Sequence, residues 1–315
     1  MPASATAVPV RQLNRLRTEM EMSSIQRWHR LFPATPKTGV EYAIIARVCL
    51  PDWIRDGELA PPATPTRAIT IRKIAASLGT PPESTRRRVG AMLDCGMLTA
   101  SAQGVSLAAT PDAAQRTMDY FTGIHDLFLR TVEDIPLTCD VDLPVGATSA
   151  FEAGDLISRA LDTLLVAIDT YPLGNIDWVE MMMWAALSAV ATRKVTYDPV
   201  LARRFGDAIP ADEHRLGISL RKLAGALNIP YATAWRHIQT LDQAGLVTRL
   251  DEQHWTILTA NLMQDSVRDT LAPPAHFMLR RVRELTRLGL DPAQATRLYK
   301  QGRPALADFG LPQNG

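Results

Sequence analysis

The chain of 315 residues is long enough for two domains, and its 46% hydrophobic and 21% charged residues are the proportions of a soluble globular protein. A net charge of +1 excludes bulk electrostatics as a guide to partners, so a polyanion could be recognised only through where the charges sit. Cys49, Cys95 and Cys139 are odd in number and far apart, which excludes a disulfide framework or structural zinc. With no signal-like start and no stretch near ~20 apolar residues, a cytoplasmic protein without a membrane span is expected.

In chain order, residues 1–9 read as a disordered start. Residues 10–134 form a first half, with an apolar helical run VEYAIIARVCL from Val40, a Pro-rich loop APPATPTR (Ala60–Arg67), a compact basic unit in residues 69–108, and a closing helix YFTGIHDLFLR from Tyr120. Residues 135–150 are an acidic linker. Asp140 and Asp142, with Glu152 and Asp155 just beyond, have no Lys or Arg among them, so this stretch is expected to lie away from any polyanion. Residues 151–310 form a second half, with VEMMMWAALSAV from Val179, a basic unit in 216–260 and HFMLRRVRELTR from His276. Residues 311–315 are a disordered tail.

The two basic units are copies. Ile69–Thr99 overlays Ile218–Thr248 without a gap, keeping Arg72/Arg221, Lys73/Lys222, Ala75/Ala224, Leu78/Leu227, Pro81/Pro230, Arg87/Arg236 and Gly96/Gly245. The flanking runs repeat less regularly, both apolar helices opening on Val-Glu.

In the second copy, Leu220, Leu223, Ala224 and Leu227 make an apolar helical stripe. Asn228-Ile229-Pro230 breaks the helix, and a new one presents Ala234, Ile238 and Leu241 on one face before ending at Gly245, a left-handed C-cap. Two short helices joined by a tight turn are a helix-turn-helix. Leu246-Val247, the polar turn Asp251-Glu252-Gln253 and Trp255–Leu258 then predict a β-hairpin wing. The first copy's wing, Met97-Leu98-Thr99 to Val105-Ser106-Leu107, is expected to be short and uncharged. Cys95, aligned with Ala244, is expected to be a small buried residue.

The pattern LRKLAGALNIPYATAWRHIQTLDQAGLVTR resembles the winged helix-turn-helix of bacterial regulators of the IclR and MarR types, over about 40 residues in each half. The Asp-Arg-Arg wing motif of MarR proteins and the large effector domain of IclR proteins are missing, and the flanking helices are nearer to the MarR plan. The expected fold is mainly α with small β-wings: two winged helix-turn-helix units in one chain, in a pseudo-two-fold arrangement with flanking helices.

A recognition helix enters the major groove by its exposed N-terminal face. In the second copy that face holds Tyr231, Ala232, Trp235 and Arg236, with His237 on the flank. Trp235 either faces DNA or packs on its own wing. In the first copy the face holds Pro82, Glu83, Arg86 and Arg87, followed by Arg88. Arg87 and Arg236 occupy the same place and suit bidentate contact with guanine or a phosphate clamp. Ser84 and Thr233 can offer hydroxyls to phosphate. Arg72, Lys73, Arg221 and Lys222 open the preceding helices as phosphate contacts, Arg67 and Arg215 extend that row, and Arg249 lies in the second wing. Only Glu83 interrupts Arg67–Arg88, and no acid interrupts Arg215–Arg236.

These features predict a sequence-specific regulator of transcription that grips double-stranded DNA as a single-chain pseudo-dimer on an asymmetric operator. Further self-association stays open. Two alternatives are a plasmid-type replication initiator with tandem winged helices and a winged-helix protein-binding scaffold. The scattered histidines and the absence of phosphate- or dinucleotide-binding motifs predict no enzyme, no cofactor and no metal. Trp178, Met182 and Trp184 within Ile176–Leu187 are either buried helix or the lining of a small-molecule effector pocket.

Overall fold

The structure, a computed structural model, describes residues 8–32, 39–170 and 177–311. Helix accounts for 63% and strand for 7%, so the fold is mainly α with small antiparallel sheets. No helix among the described residues is long and apolar enough to cross a membrane.

After α1 (Val10–Leu31) come α2 (Val40–Cys49), a 3-10 turn (Leu50–Trp53) and a small hairpin, β1 (Ile54–Arg55) with β2 (Glu58–Leu59). Asp56 and Gly57 join these strands with φ of 51° and 80°, the doubly left-handed turn that an Asp-Gly pair favours. The first basic unit is α3 (Ile71–Ser77), α4 (Pro82–Asp94), β3 (Leu98–Ser101) and β4 (Gly104–Leu107), and α5 (Pro111–Thr138) closes it. Then come α6 (Ala153–Thr170), α7 (Trp178–Tyr197) and α8 (Pro199–Phe205). The second unit is β5 (Ile218–Ser219), α9 (Leu220–Ala226), α10 (Tyr231–Gln243), β6 (Thr248–Arg249) and β7 (His254–Thr256), followed by α11 (Thr259–Leu262) and α12 (Asp265–Arg287).

The repeat is matched in the backbone at its caps and turns. Thr70 and Ser219 cap α3 and α9, their hydroxyls accepting from the amides of Lys73 and Lys222. Gly79 and Asn228 stand at the helix ends with φ of 59° and 50°. The chain then reverses through Thr80 N–H to Ala75 C=O and Ile229 N–H to Ala224 C=O, both 3.0 Å. Gly96 and Gly245 (φ 72° and 69°) end the second helices, as expected at Gly245. Ile69 bridges Val105 as Ile218 pairs with Trp255, so in each copy the segment before the first helix joins the hairpin's far strand.

Supporting helices cross between the halves. The buried interior of α1 packs on α5, α7 and α12, while α6 packs on α2, α5 and α12. One apolar core gathers Trp28, Tyr42, Phe121 and Phe128 with Met278 and Val282 of α12, and a second surrounds α7, α9 and α10. The span 10–134 is therefore a sequence half whose first helix lies against the other half.

Several expectations change. The first hairpin pairs four residues on each strand, none of them charged, and is longer than the β6–β7 pairing of the second unit. Helix α5 continues through Pro136 into the expected linker, whose remainder runs beside the end of α12 through Gly146 N–H to Thr286 C=O and Ala150 N–H to Leu288 C=O. Cys95 is exposed, because it follows the last turn of α4 rather than facing the core. Pro9 is buried beside α1 and Leu311 packs on the second core; residues 1–7 and 312–315 of the expected disordered ends lie outside the described residues.

Candidate nucleic-acid interface

The inward faces of α4 and α10 are set by their apolar spacing: Thr85, Val89 and Met92 in one, Ala234, Ile238 and Leu241 in the other, all buried. Their opposite faces are exposed: Pro82, Glu83, Arg86 and Arg87 on α4, and Tyr231, Ala232, Trp235 and Arg236 on α10. Trp235 is 42% and Tyr231 51% exposed, so about half of each side chain stays open to solvent. Arg72, Lys73 and Arg221 are exposed on α3 and α9, while Ser84 and Thr233 are half-buried. The guanidinium groups of Arg87 and Arg236 make no hydrogen bond or ion pair among the described residues, leaving all their donors available.

Other basic groups are engaged internally. Arg88 is turned toward the scaffold and ion-paired with Glu41 of α2, whose side chain is 1% exposed, so it is an anchor of α4. Its expected place on the reading face does not hold, because a buried carboxylate competes for the guanidinium. Arg215 is likewise buried, held by Asp212, by the Ile257 carbonyl at 3.0 Å and by the Pro210 carbonyl, and cannot extend a phosphate row. Arg67 is exposed but lies 3.6 Å from Asp52. Arg86 pairs with Glu83 at 2.7 Å on the surface, and Lys222 Nζ donates to the Gly310 carbonyl at 2.8 Å. Arg249 donates to the carbonyls of Asp251 and Glu252, bracing the second hairpin's own turn.

The second unit repeats the anchor with different chemistry. His237, in the place of Arg88, has Nδ1 3.1 Å from Glu180 Oε1 and 3.7 Å from Asp177 Oδ2. Glu41 and Glu180 are the acids of the two Val-Glu openings. The sequence carried this signal, but only the packing of α2 on α4 and of α7 on α10 assigns it a role.

Trp178, Met182 and Trp184 line a cavity of about 70 Å³ at the junction of α1, α2, α5, α6 and α7, shared with Trp28 and Tyr120; Ile176 lies outside the described residues. Trp184 Nε1 donates to the Leu246 carbonyl at 3.2 Å, tying α7 to the end of α10. The indole N–H groups of Trp28 and Trp178 are buried with no hydrogen-bond partner among the described residues.

In comparisons with known proteins, no family model, no curated protein and no solved structure matches this chain.

Proposed function

We propose that the protein is a sequence-specific double-stranded DNA-binding regulator of transcription, its two helix pairs with their hairpins acting as winged helix-turn-helix units of a single-chain pseudo-dimer. The observation that carries this reading is the matched exposure of Arg87 and Arg236, whose guanidinium groups stand at the same place on two equivalent helices and have no partner among the described residues. An arginine so placed can reach guanine in the major groove or clamp a phosphate. Arg72, Lys73 and Arg221 supply charge for the backbone.

The two faces differ, Glu83-Arg86-Arg87 against Ala232-Trp235-Arg236, so the operator has two unlike half-sites. Covalent linkage holds the second reader at an effective concentration on the order of mM once the first has bound. The indole donors of Trp28 and Trp178, which have no hydrogen-bond partner among the described residues, favour a small-molecule effector in the cavity, an apolar compound with a hydrogen-bond acceptor.

Chromatin immunoprecipitation tests the reading. Peaks at promoters support a regulator, enrichment at one origin with iterated repeats supports a replication initiator, and absence of enrichment supports a cytoplasmic protein-binding scaffold.

A further inference from the structure

The first turn of α7 brings two carboxylates and an imidazole onto one point. Asp177 Oδ1 accepts from the Glu180 N–H, and Glu180 Oε2 accepts from the Asp177 N–H, both at 2.9 Å. This reciprocal cap uses one oxygen of each carboxylate and fixes both side chains. The remaining oxygens, Asp177 Oδ2 and Glu180 Oε1, converge on His237 Nδ1 of α10, and all three atoms lie within 4.8 Å of one another.

We propose that Asp177, Glu180 and His237 bind a divalent first-row transition-metal ion that joins α10 to α7. Ligand atoms about 2.1 Å from a common ion stand roughly 3.0–3.4 Å apart at octahedral or tetrahedral angles. Of the observed distances from the imidazole nitrogen, 3.1 Å falls in that range and 3.7 Å a little above it, so the exposed Asp177 carboxylate has to move inward for the three side chains to share an ion. Two carboxylates and a neutral imidazole carry two negative charges, which a divalent ion balances. The imidazole favours Fe²⁺ or Zn²⁺ over Mg²⁺ and Ca²⁺, and the two carboxylates also suit Mn²⁺. The capping box supplies the outer-shell hydrogen bonds that orient metal-ligating carboxylates. Asp177, with 54% of its side chain exposed, gives an entry path and room for water as a further ligand.

A separate observation points the same way. At the equivalent place in the first unit, the glutamate of the supporting helix is closed by a built-in cation, Arg88 on Glu41. The second unit has the carboxylates without that permanent cation, so its anchor is completed by one from solution. His237 adjoins Arg236 and lies two residues from Trp235. On the reading of α10 as a DNA-contacting helix, ion binding therefore stiffens the second reading face and raises affinity for one half-site.

The test is calorimetric titration of the full-length, chelator-stripped protein with MnCl₂ and ZnCl₂, without DNA, beside a MgCl₂ control. The expected result is one ion per chain, bound at least tenfold more weakly by Asp177→Asn and by His237→Ala, with Mg²⁺ at least tenfold weaker than either ion. Asp177→Asn, on an exposed side chain, keeps the test valid if His237→Ala does not fold. No heat of binding up to millimolar ion, or binding unchanged by both substitutions, overturns the proposal. Because the readout needs no DNA, failure of the DNA-binding reading leaves it standing, and the converse also holds.

Discussion

Arg88 of α4 is ion-paired with Glu41 of α2, and the carboxylate is almost completely enclosed, with 1% of its side chain exposed. A charged contact thus adds to the apolar packing that joins the first candidate reading helix to its support. Arg88→Ala takes the guanidinium from an enclosed carboxylate and should destabilise the fold by about 1–3 kcal/mol. Arg88→Met combined with Glu41→Gln should cost less than Arg88→Ala alone. Chemical denaturation of the single and double variants measures this; equal losses for Arg88→Ala and the double variant would show that the charge pairing is not what matters.

Arg87→Ala and Arg236→Ala should leave thermal stability nearly unchanged, because both side chains are exposed and have no partner among the described residues. Each should weaken specific DNA binding by ~1–3 kcal/mol where it reads a base. With an asymmetric operator, each variant should relax sequence preference in only one half-site. Selection of bound sequences from a random pool by the two variants checks this, and unchanged preference in both would reject the assigned face.

Gly104 lies where β4 passes the strand segment before α3. Its φ is 133°, and a methyl group there would sit 2.4 Å from the Ile69 carbonyl oxygen. Gly104→Ala should therefore destabilise the first hairpin by about 1–3 kcal/mol. Loss of amide protection at Ile69 and Val105 in hydrogen exchange, ahead of global unfolding, is the expected signature.

Asp126 accepts from His125 Nδ1 at 2.8 Å and from the backbone N–H groups of Lys300 and Gln301 at 3.0 and 2.7 Å, docking the chain beyond α12 onto α5. Burial pushes its carboxyl up, but these donors outweigh burial and hold it below the usual carboxylate value. A carboxyl depressed in the folded state stabilises above its unfolded pKa, about 3.9, and that stability is lost as pH falls through the lower folded value. Asp126→Asn should thus unfold at a lower temperature than wild type at pH 7, with the gap closing in acid. Limited proteolysis near Lys300 should report the loosened segment.

The basic units were legible because their signals are local. Apolar residues at helical spacing, Pro81 and Pro230 after the turns, and Gly96 and Gly245 at the helix ends each act within a few residues, and the described backbone follows them. The Asp56-Gly57 hairpin was equally local, and its turn dipeptide was there to be found. Helix α1 was hidden for the opposite reason. Its buried face carries Arg17, Glu19 and Glu21, which reads as polar surface until the partners appear: Arg17 with Glu21 one turn on, and Glu19 with Arg193 of α7 at 2.8 and 2.7 Å.

The exposed arginines divide along the same line. Spacing alone put Arg87 and Arg236 on an outward face, since the opposite face is apolar. Whether an outward basic residue keeps its charge for a partner depends on neighbours distant in the chain. Glu41 claims Arg88 across 47 residues, and the carbonyls of Pro210 and Ile257 help enclose Arg215. The same folding gathers Asp177, Glu180 and His237, whose sequence spacing signals no metal site. Short-range patterning is written residue by residue because backbone geometry repeats every few positions. Pairing of charges depends on which helices come to lie together, and that was settled only by the packing of α2 on α4 and of α7 on α10.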